Sequence, residues 1–282
     1  MPRHVSEERT AEMILSGRFH LTSDQRVVYQ TQKGMDTDDF LRHMVHTVQP
    51  KALAPVSDFH VGAAGVNADG EVFLGVNIEF EGASFAQTVH AEQFLISLSR
   101  TYSTSPIVKL AVSAPPCGHC RQFLNEFDRH GELEMLIGNE PGSKMSVLLP
   151  RAFGPADMKV TEPFYSEPPE PLVDDDLDES ARRAALHSYV PYSRTRAGIS
   201  VRTRQGKIFF GSALENAAYN PGLPPLQAAI ASAYASGFSP TEISEVVLCQ
   251  EKGGQINYEP QLRDLAVSLS ERVTFRTVYL EA

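Results

Sequence analysis

The chain has 282 residues, enough for one large domain or two ordinary ones, and its 42% hydrophobic and 21% charged residues are those of a globular protein. A formal net charge of −10 without a basic stripe disfavours a polynucleotide partner, because phosphate neutralisation supplies much of that affinity. No run of about twenty apolar residues is present to span a membrane, the N-terminus reads as no secretory leader, and three cysteines make no disulfide framework, so a reduced, cytoplasmic setting is expected.

Residues 1–35 are polar, with one helical stretch at 7–15, and 1–50 as a whole reads as an N-terminal helical region. Asp36-Thr37-Asp38-Asp39 offers N-cap residues to a helix carrying Phe40, Leu41, Met44, Val45 and Val48 at helical spacing, ended by Pro50. Residues 59–66 and 71–77 predict two strands joined by Asn67-Ala68-Asp69-Gly70, a hairpin turn. The next helix starts at Ala91 with Phe94, Leu95 and Leu98 on one face, and a strand covers 107–113. A second helix opens at Cys117 with Phe123, Leu124 and Phe127 inward, then a strand over 133–137. This alternation predicts an α/β class, a sheet between helices. Residues 51–158 thus form a first domain, the proline-rich acidic stretch 159–179 a linker, and 180–282 a second domain.

The chemistry concentrates at His90-Ala91-Glu92 and Pro116-Cys117-Gly118-His119-Cys120. Cys117 and Cys120 share a helix face at a spacing of three, and His90 brings a nitrogen from another segment. One histidine and two cysteines make three ligands for a tetrahedral zinc and leave a fourth position for water, the mark of a catalytic site. Glu92 is two residues from His90, close enough to serve that water without binding metal. Both segments lie at helix N-termini, whose partial positive charge favours thiolates. His119, between the cysteines, is expected to point away from both. A redox pair would explain neither His90 nor Glu92.

His-x-Glu followed by Pro-Cys-x-x-Cys is the zinc-deaminase signature. The runs TVHAEQFL and PPCGHCRQFLNEF resemble the free-nucleoside cytidine deaminases, specifically the longer two-domain homodimeric type, from about Phe40 to near the C-terminus. The resemblance implies a three-layer α/β/α sandwich, duplicated, with a non-catalytic C-terminal copy. It also implies one Zn2+ per subunit and a cytidine or 2′-deoxycytidine substrate in pyrimidine salvage. Glu92 would be the proton shuttle. Asn77 and Glu79, the N-x-E of GVNIEF, would bind ribose hydroxyls, where a carboxylate accepts strong charge-assisted bonds. Phe59 would line the pyrimidine pocket, though core packing explains a strand phenylalanine equally well. Backbone groups of Ala91 and Pro116 would hold the base, and Phe153 would reach the neighbouring subunit's site or pack at the domain junction.

The second half repeats the first at an offset of 136: Pro55/Pro191, Ser57/Ser193, Gly62/Gly198, Gly70/Gly206, Phe73/Phe209, Gly75/Gly211 and Glu79/Glu215. The same offset sends positions 90, 92, 117 and 120 to Leu226, Ala228, Gly253 and Ile256, so the copy carries no metal site. Cys249 reads as a buried strand cysteine. Rival readings keep the zinc and change the substrate, to a nucleic acid, a deoxycytidylate or an antibiotic nucleoside, or make the zinc a scaffold without turnover. The acidic charge, the N-x-E carboxylate and the unligated Glu92 argue against them.

Overall fold

The computed structural model of the chain describes residues 17–128, 130–165, 176–270 and 272–280. The helix expected over 7–15 and residues 166–175 of the acidic stretch lie outside the described residues. Two sheets form among the described residues. The first has the order β1 (His20–Leu21), β3 (Val72–Val76), β2 (Gly62–Asn67), β4 (Ile107–Val112), β5 (Glu134–Ile137), β6 (Ser143–Lys144). The second runs β10 (Thr274–Leu280), β9 (Ile243–Glu251), β7 (Ala197–Thr203), β8 (Ile208–Ser212).

The two sheets have one topology. In each, an antiparallel hairpin (β2–β3, β7–β8) pairs antiparallel with a third strand (β4, β9), and that strand pairs parallel with a fourth (β5, β10). Even the irregularity repeats: the register slips between Val66 and Asn67 in one sheet and between Arg202 and Thr203 in the other, 136 positions on. Both hairpins turn on a glycine at positive φ, 85° at Gly70 and 81° at Gly206.

The helices on either side of the hairpins complete the layers. Near the N-terminus, α1 (Ser23–Lys33) opens at Thr22, whose side chain forms a capping box with Gln25. In α2 (Thr37–Val48), Asp36 caps by accepting from Asp39 N at 2.9 Å, and the apolar stripe read from the sequence is buried against β2. After the short α5 (Met145–Leu148), the equivalent outer helix of the second unit is α6 (Leu177–Leu186), which begins inside the stretch expected as linker and packs on β7. Between the sheets lie α3 (Ala91–Tyr102) and α7 (Pro225–Ala235), each on its own sheet and both on each other. One continuous apolar core therefore runs through both units, from Phe94 and Leu95 to Leu226, Ala229 and Ile230. Each large side chain in it contributes on the order of 1.5–3 kcal/mol by leaving water.

Two glycines fix how closely these helices approach. A Cβ on Gly75 would stand 2.2 Å from Ala91 O, and one on Gly211 would stand 2.4 Å from Pro225 O. The matching contacts show where the constant offset fails. Strand residues repeat at 136, but α7 arrives two residues early, and the next helix, α8 (Glu259–Leu269), opens five residues later than the shift from α4 (Gly118–Leu124) would place it. The positions equivalent to His90, Glu92 and the start of α4 are thus Pro224, Leu226 and the start of α8, not the set the offset names. The conclusion is unchanged, since no histidine follows His187 and the only cysteine there, Cys249, is buried in β9.

Candidate active site

The chain delivers its ligands from two helix starts. His90 is the N-cap of α3 and Cys117 the N-cap of α4, both in extended conformation, so their side chains face the end of the sheet where the two helices meet. Cys120 sits one turn into α4, and its N–H reaches back to Cys117 Sγ at 3.4 Å. Arg121 braces the approach by donating from Nε to Pro116 O at 2.8 Å and from Nη1 to Leu148 O at 2.9 Å.

The three donor atoms form a compact triangle. Cys117 Sγ and Cys120 Sγ are 3.5 Å apart, and His90 Nδ1 lies 3.7 Å from the first and 3.3 Å from the second. A tetrahedral zinc with its usual bond lengths needs about 3.8 Å between sulfurs and about 3.6 Å between sulfur and nitrogen. The donor set and its spacing fit that ion. The chain fills one face of the tetrahedron and leaves a position open.

The electrostatics suit the same use. Hydrogen bonds from Cys120 and His90 hold the Cys117 thiol far down, to about 3. Its neighbour Cys120 is pushed up by sharing that hydrogen bond and by burial. Glu92 is buried, and its Oε2 lies 3.2 Å from Cys120 Sγ. Burial raises its carboxyl above the ordinary range, the direction a group needs if it is to take up and return a proton near neutrality.

His119 departs from expectation. Rather than pointing away, its ring stacks on His90 at 5.0 Å between centroids, and it stands with His90 and Cys120 in a group whose ligand atoms lie within 4.8 Å of one another. Its Nε2 is 3.3 Å from Asn220 O, a contact to the second unit. The shorter separations of Cys117 make it the better third donor.

Among the residues expected to meet the nucleoside, Asn77 is buried, accepts from Val61 N at 2.8 Å and donates to Phe59 O at 2.9 Å, so it holds the 59–61 segment in place. Glu79 accepts from Val56 N at 3.1 Å, from Ser57 N at 3.0 Å and from the Ser57 hydroxyl. Partial burial works against its ionised form, yet these bonds hold its carboxyl below the ordinary range. The strand expected from residue 59 starts only at Gly62, because Asp58 turns the chain at φ 54°. Phe59 is therefore 59% exposed and packs in no core. The N–H of Ala91 lies in the first turn of α3, where helix donors lack intrahelical partners. Phe153 is 46% exposed, while its carbonyl accepts from Gln122 and Asn125 beside α4. It is not a buried junction residue.

Sequence reading missed Gln93, Ser57 and Glu126. Gln93 accepts from His90 N at 3.2 Å and donates to Pro221 O at 3.2 Å, and its spacing of three from a helix cap was the available signal. Ser57 was visible only as a repeated serine. Glu126 is wholly buried and accepts from the hydroxyls of Tyr189 and Tyr192 and from Ala217 N, which locks α4's end to the second unit. No local pattern announces such a bond.

A family model described as "Cytidine and deoxycytidylate deaminase zinc-binding region" matches residues 35–133, and a second of the same description matches 145–263. The chain is 35% identical over 263 residues to the cytidine deaminases of Yersinia pestis (strain Pestoides F) and Yersinia pseudotuberculosis serotype O:3 (strain YPIII), covering 90% of this chain and 89% of each of those. The crystal structure of cytidine deaminase from Mycobacterium leprae is similar at 30% identity and a TM-score of 0.37, covering 42% of this chain and 100% of that one.

Proposed function

The chain belongs to the cytidine and deoxycytidylate deaminase zinc-binding family, and from that premise we propose that it hydrolyses cytidine and 2′-deoxycytidine to uridine and 2′-deoxyuridine, releasing ammonia, in pyrimidine salvage. The observation that carries the reading is the buried Glu92 carboxyl set against the His90, Cys117 and Cys120 triangle. A scaffold has no use for a buried, unligated acid at that place.

His90, Cys117 and Cys120 hold the zinc. When bound, zinc supplies Lewis-acid activation of water. Glu92 takes a proton from the attacking water, delivers it to N3 of the pyrimidine, and then passes a proton to the departing amine. The N–H of Ala91 and the carbonyl of Pro116 orient the base. Asn77 and Glu79 face the ribose hydroxyls from the end of β3, and Phe59 covers the ring of the base. A catalytic first unit over 51–158 and a non-catalytic second over 180–282 accord with this, extended by β1 and α2, which lie within 1–50 and belong to the first unit, and by α6, which begins at Leu177 within 159–179.

A homodimer completes this picture. Phe59 and Phe153 are both large apolar side chains left exposed, and a second copy that covers them would bring Phe153 across to its neighbour's site. Light scattering that finds only monomer at working concentration removes that assignment. A cytoplasmic location accords with the free thiols the metal site needs. No helix among the described residues is long and apolar enough to cross a membrane. The reaction itself is tested by ammonia release from cytidine, 2′-deoxycytidine and deoxycytidylate side by side. Turnover of the two nucleosides is expected, and turnover of deoxycytidylate alone would overturn the substrate assignment.

A further inference from the structure

A cavity of about 920 Å³ lies between the two units, where the second copy's counterpart of the catalytic centre falls. It opens at the start of α7 and is bounded by Glu215, Tyr192 and Tyr258 of the second unit and by Gln93 and His119 of the first. Its volume is that of an ordinary small-molecule site.

Its chemistry is narrow. Glu215 accepts from Tyr192 N at 2.9 Å and Ser193 N at 3.1 Å, both through Oε2. In the first copy the other carboxylate oxygen is taken by the Ser57 hydroxyl; the Ser193 hydroxyl, which accepts from Thr195 N as that of Ser57 does from Phe59 N, makes no such bond among the described residues, and Oε1 of Glu215 keeps no partner there. Gln227 is 1% exposed, donates from Nε2 to Gln87 Oε1 at 2.6 Å, and leaves its own Oε1 without a hydrogen bond. A buried acceptor left empty is destabilising, and a donor on a ligand relieves it. Tyr219 adds a flat face. It lines the cavity, 67% exposed, and holds φ at 63°, a left-handed conformation that strains a non-glycine residue.

Among the lining residues there is no lysine or arginine, so nothing there neutralises a phosphate. The open groups are hydroxyl acceptors and an aromatic ring. We propose that this cavity binds an uncharged nucleoside as a second, non-catalytic site. The sugar hydroxyls would donate to Glu215 and Gln227, and the base would lie on Tyr219. With no thiol or imidazole at the start of α7 or α8, the ligand is held without being deaminated. Gln93 and His119 line the cavity and also contact the catalytic centre, through His90 N and the His90 ring. The proposal rests on the reading of the catalytic centre only in its choice of probe.

The test is equilibrium dialysis of the zinc-loaded full chain with uridine, which the enzyme does not consume, with ammonia release from cytidine measured on the same sample. Two uridines per chain are expected. Tyr219→Ala, a change at an exposed ring, should remove one of them, and Glu215→Gln the same one, while Glu79→Ala removes the other. One uridine per chain that survives Tyr219→Ala, or two that both survive it, overturns the proposal. One uridine lost in Tyr219→Ala but kept in Glu79→Ala, with no ammonia released, would sustain the second site and remove the deaminase reading instead.

Discussion

Glu215 repeats, 136 positions later, the bonds of Glu79: each carboxylate accepts two successive backbone N–H groups, of Val56 and Ser57 in one unit and of Tyr192 and Ser193 in the other. The second unit has no metal residues, so the clamp is part of the architecture as well as a candidate for ribose recognition. Glu79→Ala should therefore do two things. It should raise KM for cytidine tenfold or more, and it should lower stability by about 2 kcal/mol through the lost charge-assisted bonds. Steady-state kinetics and urea unfolding check both. A stability loss with unchanged KM would leave Glu79 as architecture alone.

The ligand set is decided by metal content. Cys117→Ala should bring zinc well below one per chain, whereas His119→Gln should retain it, because the separations of Cys117 Sγ match a tetrahedral ion and His119 Nε2 meets Asn220 O. Metal loss in His119→Gln with metal kept in Cys117→Ala would exchange their roles. Chelation of the wild-type protein should abolish turnover, and added Zn2+ should restore it.

His187 sets a pH dependence of stability. Burial lowers its pKa to about 4, with the Arg100 charge adding to the effect. In the unfolded chain the value is about 6.5. As pH falls, the unfolded chain takes the proton first. Stability is thus full above pH 6.5, falls between about 6.5 and 4, and levels off below. The loss should be about 3 kcal/mol at most, read as the change in urea midpoint, and His187→Gln should flatten that part of the profile.

Gly75→Ala tests the fit of α3 on its sheet. The added carbon would stand 2.2 Å from Ala91 O, so the helix carrying His90 and Glu92 has to move. A stability loss of about 3 kcal/mol or more is expected, a fall in Tm of roughly 6 °C or more for a chain of this size. An unchanged Tm would mean that the helix has room the structure denies it.

The metal triangle was legible because its residue types are rare, closely spaced and placed at helix starts. The α2 stripe, the Asn67–Gly70 turn and the repeat were legible through period, turn chemistry and shared glycines. Other features depend on what packs where. Periodicity gives α3 one apolar face, yet Ala91–Arg100 are all buried because α7, Phe164, Tyr165 and His187 also pack on the helix. Arg100 is accepted there by donating to Phe164 O and His187 O. The single offset failed once loops of different length intervened, since turn residues repeat only within the hairpin. The apolar Phe59 reads as a strand residue, but Asp58 turns the chain just before it and the strand begins at Gly62.

The most direct test of the account is turnover and zinc content measured together on wild type and Glu92→Ala. Wild type should release ammonia from cytidine with about one zinc per chain. Glu92→Ala should keep that zinc and lose turnover by a factor of at least about 100, the lower range for a positioned proton-transfer group. Glu92→Ala that keeps its zinc and turns cytidine over near the wild-type rate would contradict the role given to this carboxylate.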